Sequence, residues 1–210
     1  MHELVKPLRD ALESLDRVGA ETIFRQALTS LTPIKAVEQV VVPALEAVGD
    51  AWETGEVALS QVYMSGRFCE ELVEQVLPPS DPDRKHQPRS AIVVLSDYLM
   101  LGKRIVYSVM RASGFELFDY GRMDVDELVA RAIADKIRVL LISVLILPSA
   151  LKVREVCDKL KAAGAPIKVM VGGAPFLFDD AMWREIGADA MGRNAAEAVS
   201  IVTGWMGEMQ

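Results

Sequence analysis

The residues able to do chemistry fall in three short stretches, each closing an apolar run: Ser96-Asp97-Tyr98-Leu99-Met100-Leu101-Gly102, Ser143-Val144-Leu145 and Gly172-Gly173. They offer a carboxylate, hydroxyls and paired glycines. Glycine lets a backbone or a flat ligand approach where a β-carbon would collide, so the three stretches together suggest a slot. Singly, each has a plainer use. Asp97 can satisfy the backbone donors that open the following helix, Ser143 can be an ordinary loop hydroxyl, and Gly-Gly after a strand is common turn chemistry. Their joint placement carries the argument.

Other chemistries lack their residues. A Ser/His/Asp triad needs an imidazole, and the two histidines, His2 and His86, lie in a terminus and a proline-rich segment, where His86 reads as a solvated loop residue. Cys69 and Cys157 stand 88 positions apart with no C-x-x-C, which disfavours structural zinc and iron–sulfur clusters. Neither G-x-G-x-x-G nor G-x-x-x-x-G-K-[ST] follows a strand, so the phosphate cradle of nucleotide cofactors is missing. A phosphoacceptor receiver domain would want an acidic cluster after the first strand and an aspartate after the third, where Ser143, Leu145 and Pro148 stand.

The elements that must position these stretches follow from periodicity. Residues 1–77 carry apolar side chains at three- and four-residue spacing, which predicts four helices near 3–15, 19–30, 34–53 and 58–77. Pro43 falls inside the third and should kink it or reset its start, since it removes a backbone donor. Residues 78–90, PPSDPDRKHQPRS, hold four prolines and six charged or histidine side chains and read as a semi-extended linker. From 91 to 210, β-branched runs at 91–96, 115–120, 138–144 and 167–172 and a short piece near Ala188–Ala190 alternate with helical stretches. Near-continuous apolar strands separated by helices predict an α/β domain, a doubly wound parallel five-stranded sheet of flavodoxin or Rossmann-like build in the order 2-1-3-4-5. Ligands bind such sheets beyond the carboxyl ends of the strands, at the switch between strands 1 and 3. The three stretches fall at that edge.

Composition narrows the partners. With 210 residues, 51% hydrophobic and 25% charged, the chain can bury a real core and does not read as disordered. Its 23 basic and 30 acidic residues leave a net charge of −7, so nucleic acid is not an expected partner. The longest apolar run, Val139 to Leu147, is interrupted by Ser143 and stopped by Pro148, so no membrane span is expected. The start, MHELVKPLRD, lacks the apolar block of a secretory leader, and a cytoplasmic protein is the expectation.

In their order, these residues resemble the cobalamin-binding domain family, whose signature is D-x-H-x-x-G, then S-x-L, then G-G. Here the pieces read Asp97-Tyr98-Leu99-Met100-Leu101-Gly102, Ser143-Val144-Leu145 and Gly172-Gly173. The helical half, through VGDAWETGEVALSQVYMS at 48–65, is similar to the cap module of methionine synthase and of corrinoid proteins of methyltransferase systems; GKRIV, DYGRMDV and VMVGGAPF add to the likeness. By that resemblance Gly102, Ser143, Leu145, Gly172 and Gly173 would line the slot for the cofactor's dimethylbenzimidazole tail. Asp97 would be the group that normally orients an axial histidine. Trp52, Val62, Tyr63 and Met64 would contact the upper face of the corrin from the cap, although Trp52 is equally placed to be a core aromatic. With Tyr98 and Leu99 these make up the expected cofactor-binding set.

One position departs from the pattern. The family's histidine is Leu99, and leucine has no lone pair to give cobalt. Either the ligand is not a corrinoid, or a corrinoid binds with its own base displaced into the slot and nothing from the protein beneath the metal; the intact slot favours the second. The corrin alone would hold the cobalt. Axial ligation is a main lever on redox potential, so loss of a lower donor should ease reduction to cobalt(I). The resemblance implies a methyl carrier cycling between cobalt(I) and methyl-cobalt(III), a subunit of a methyltransferase system and not a complete enzyme. A separate methyltransferase subunit and a reductive activator would then be its partners. The alternative is a cobalamin- or tetrapyrrole-binding sensory module. Against a light sensor, Val62-Tyr63 stands ten positions after Trp52, where sensors of related build often carry Glu-His.

Overall fold

The structure, a computed structural model, describes residues 3–76, 87–98 and 100–209. His2, His86 and Leu99, with most of the expected linker, lie outside the described residues. The chain divides into two units, one of residues 1–87 with 108–116 and one of 88–107 with 117–210.

In the first unit, α1 (Val5–Glu13), α2 (Arg17–Ala27), α4 (Val42–Glu53) and α5 (Leu59–Val76) follow the expected spacing. Val5, Leu8, Ala11 and Leu12 make the buried stripe of α1, and Ala20, Phe24 and Ala27 that of α2. Asp16 caps α2, its carboxylate accepting from the Gly19 amide at 2.9 Å. The third predicted helix is not continuous. It comprises α3 (Pro33–Ala36), a π-helical stretch Val37–Val41, and α4 with Pro43 in its first turn. Proline has no N–H to donate and its ring crowds the carbonyl four residues back, so the widened turn, in which the Val42 amide reaches the Val37 carbonyl, accommodates it.

The second unit is a five-stranded sheet in the order β2-β1-β3-β4-β5, all neighbours parallel, as the sequence predicts. Its strands are β1 (Ser90–Leu95), β2 (Leu117–Met123), β3 (Val139–Ser143), β4 (Lys168–Gly172) and β5 (Ala190–Met191). Helices α6 (Leu101–Ala112), α7 (Val125–Ala134), α8 (Leu147–Ala162), α9 (Ala174–Phe178), α10 (Met182–Glu185) and α11 (Ala195–Met209) intervene. Every residue of β1 is buried, which is why it reads as an unbroken apolar run. Alternate positions, Val93 and Leu95 of β1, Leu140 and Ile142 of β3 and Val171 of β4, join Leu128 of α7 and Val153 and Val156 of α8 in one core. The intervening Ile92, Val94, Leu141 and Met170 are buried as well, so both faces of the sheet are covered.

Strand β2 runs three residues past its expected end. Ile92 pairs with Asp119 and Val94 with Arg122, so β2 carries one extra residue there. Gly121, at φ +65°, absorbs it as a bulge, and pairing continues to Met123. Among the described residues, no helix is long and apolar enough to cross a membrane.

Candidate functional site

Register places the three stretches side by side. Val94 pairs with Ser143 and Ser143 with Gly172, so the ends of β1, β3 and β4 form one row at the carboxyl edge of the sheet. Ser96, just past β1, holds a left-handed φ of +56°, unusual for a residue with a side chain. Asp97 follows and is 4% exposed. Its Oδ2 accepts from the Leu145 amide at 2.5 Å and more weakly from the Ile146 amide at 3.4 Å. Asp97 therefore serves the loop that leads into α8.

On the other side of the same loop, the Val144 amide donates to the Gly172 carbonyl at 3.0 Å. Gly173 has φ +127°, and a β-carbon there would stand 1.7 Å from the Val144 carbonyl oxygen, so no other residue fits without moving the loop. Gly102 lies in the first turn of α6, exposed, and a β-carbon added to it would stop 3.7 Å from Ser143 Oγ. That added group would meet no clash and would fill the space in front of the hydroxyl. Glycine at 102 thus leaves about one methyl group's room in front of the Ser143 hydroxyl, which has no hydrogen-bond partner among the described residues and is free to meet a polar atom of a bound group.

The structure thus brings together Asp97, Gly102, Ser143, Leu145, Gly172 and Gly173. Leu145 is partly exposed at that edge, as are Ile146 and Leu147. Tyr98 is 82% exposed, its ring lying 4.4 Å from the Arg122 guanidinium of β2 in a cation–π contact. Trp52, on α4, and Val62, Tyr63 and Met64, on α5, belong to the first unit, where Val62 is buried and the other three are half-buried.

Among the contacts that sequence reasoning left unseen is a buried ion pair close to this edge. Lys103 is 2% exposed and bonds the Asp119 carboxylate, which also accepts from the Gly121 amide at 2.7 Å. The pair ties the first turn of α6 to the β2 bulge. A lysine beside a loop glycine reads as solvated, and only the fold, which brings Lys103 to Asp119 of β2, reveals otherwise. Among the described residues no group of three or more histidine, cysteine or acidic side chains is placed to hold a metal ion. Burial pushes the thiols of Cys69 and Cys157 up to about 12, which keeps them protonated and poor ligands.

Comparisons with known proteins bear on the family. A family model described as a B12 binding domain matches residues 90–201, and a second of the same description matches residues 4–77. The monomethylamine corrinoid protein 2 of Methanosarcina barkeri is 31% identical over 209 residues, with 95% of each chain covered.

This chain belongs to the B12-binding corrinoid proteins.

The solved monomethylamine corrinoid protein of Methanosarcina barkeri shares 29% identity with this corrinoid protein at a TM-score of 0.57, covering 97% of this chain and 98% of that one. A cobalamin-binding protein from Desulfitobacterium hafniense DCB-2 shares its fold at a TM-score of 0.78 and 23% identity, over 98% and 99% of the two chains. The cofactor is cobalamin.

Proposed function

We propose that this corrinoid protein is a methyl carrier of a multi-component methyltransferase system, holding cobalamin with its own base displaced and no protein nitrogen beneath the cobalt. When bound, the corrin supplies a reducible cobalt that accepts a methyl group from one partner and yields it to another. The chain's residues supply the rest. Gly102 leaves space in front of the Ser143 hydroxyl for the tail, and Gly172 and Gly173 let the end of β4 close on the backbone of Gly192 and Val144 to form the wall beside it. Leu145 adds an apolar wall, and Leu99, at the position of the family's histidine, has no lone pair to offer the metal. Tyr98 is held toward β2 by Arg122. Trp52, Val62, Tyr63 and Met64 are the cap residues proposed to meet the cofactor's reactive face.

The observation that carries this reading is the row Val94–Ser143–Gly172, with Gly173 locked against Val144, set beside a leucine at the position of the family's histidine. Methyl-group recognition and electron supply fall to other proteins, a methyltransferase subunit and a reductive activator. The solved and curated relatives named as corrinoid proteins of methylamine systems support such an assignment. The test is turnover. The cobalamin-loaded protein, reduced and mixed with a methyl donor and its candidate methyltransferase, should show the absorption change of methylation and its reversal on adding an acceptor. A protein that binds cobalamin but passes no methyl group with any such pair would be a sensory module instead.

A further inference from the structure

We infer that Asp97 is a positioning residue for the tail slot and does not tune the cobalt, in contrast to the role the resemblance implies for it; this rests on the cobalamin reading above. The first turn of α8 lacks a local cap. Its N-cap residue is Ile146, in extended conformation with no side-chain oxygen to offer, and Pro148 occupies an early position of the helix. The two amides just ahead of the helix, those of Leu145 and of the N-cap Ile146, are served by Asp97 Oδ2, 48 and 49 residues earlier in the chain. A carboxylate at a helix N-terminus is also favoured by the helix dipole.

Two backbone features present the carboxylate. The left-handed turn at Ser96 redirects the chain, and the Ser96 amide is anchored on the Met123 carbonyl at 2.9 Å. From the opposite side Gly173 closes on the Val144 carbonyl, where no β-carbon could fit. The segment Val144-Leu145-Ile146 is therefore gripped between a buried carboxylate and a glycine. Ser143 and Leu145, which border the slot, owe their positions to that grip. Asp97 has a task that needs no imidazole, which accounts for an aspartate standing two residues before a leucine.

The test is made on Asp97→Ala and Asp97→Asn in the full chain. Amide hydrogen exchange at Leu145 and Ile146 should accelerate in Asp97→Ala even without cofactor. Cobalamin binding should weaken about ten- to hundredfold, as loss of hydrogen bonds to a charged acceptor implies, and Asp97→Asn, which keeps one carbonyl acceptor, should recover part of it. The cobalt(II)/cobalt(I) midpoint potential of the loaded fraction should stay at the wild-type value. A shifted potential with unchanged affinity and unchanged exchange at Leu145 and Ile146 would overturn the inference. Should Asp97→Ala not fold, the same readouts on Asp97→Asn decide. If wild-type protein binds no cobalamin, the functional reading fails, while the exchange experiment still reports on the grip.

Discussion

At the scale of single residues, the account turns on positions where one atom more or less changes what the site can do. Leu99 is the first. Leu99→His should restore a nitrogen beneath the cobalt, visible as nitrogen splitting in the cobalt(II) electron paramagnetic resonance spectrum, and should move the cobalt(II)/cobalt(I) potential to more negative values. An unchanged potential in a variant that shows the splitting would mean that lower ligation is not the lever. Gly173 is the second. Gly173→Ala combines a left-handed φ with a contact of 1.7 Å to the Val144 oxygen, so it should destabilise the second unit by on the order of 3 kcal/mol and lose cobalamin binding. Urea unfolding followed by circular dichroism measures the first effect. A variant of wild-type stability would show that the loop shifts freely.

At the scale of elements, the parallel sheet was legible because its central strands are buried on both faces and therefore read as β-branched runs bounded by turns. The C-terminal edge followed from that, and with it the convergence of Asp97, Ser143 and Gly172. What escaped depends on partners distant in sequence. The Asp97 bond spans 48 residues to Leu145, and Lys103 reads as a surface lysine until the fold sets it against Asp119. The extent of β2 escaped because Gly121 looks like a terminator and acts as a bulge. The third helix of the first unit was foreseen as perturbed at Pro43, but proline chemistry alone does not choose between a kink and the π-helical turn found there.

Strand β2 also carries a titratable link that can be read as a stability change. The Tyr120 hydroxyl donates to Asp135 Oδ2 at 2.7 Å, and this bond, aided by Arg131, holds the Asp135 carboxyl below its ordinary 3.8. A carboxyl with a lowered folded-state value contributes stability above about pH 4 that is lost as pH falls through the folded-state value. Tyr120→Phe should therefore be less stable than wild type at pH 7, and the gap should narrow as the pH is lowered below 4. Denaturant titrations across that range check it; a gap that stays constant with pH would assign the loss to packing alone.

At the scale of the whole molecule, one unit of helices and one of parallel sheet account for both matched B12-binding regions. The formal charge of −7 does not favour nucleic acid as a partner, and the proposed methyl carrier would work with protein partners. The central claim is that cobalamin sits here with no protein nitrogen below its metal. Electron paramagnetic resonance of the wild-type protein, reconstituted with cobalamin and poised as cobalt(II), tests it directly. A base-off signal without axial nitrogen splitting is expected. A spectrum with clear nitrogen splitting would contradict it.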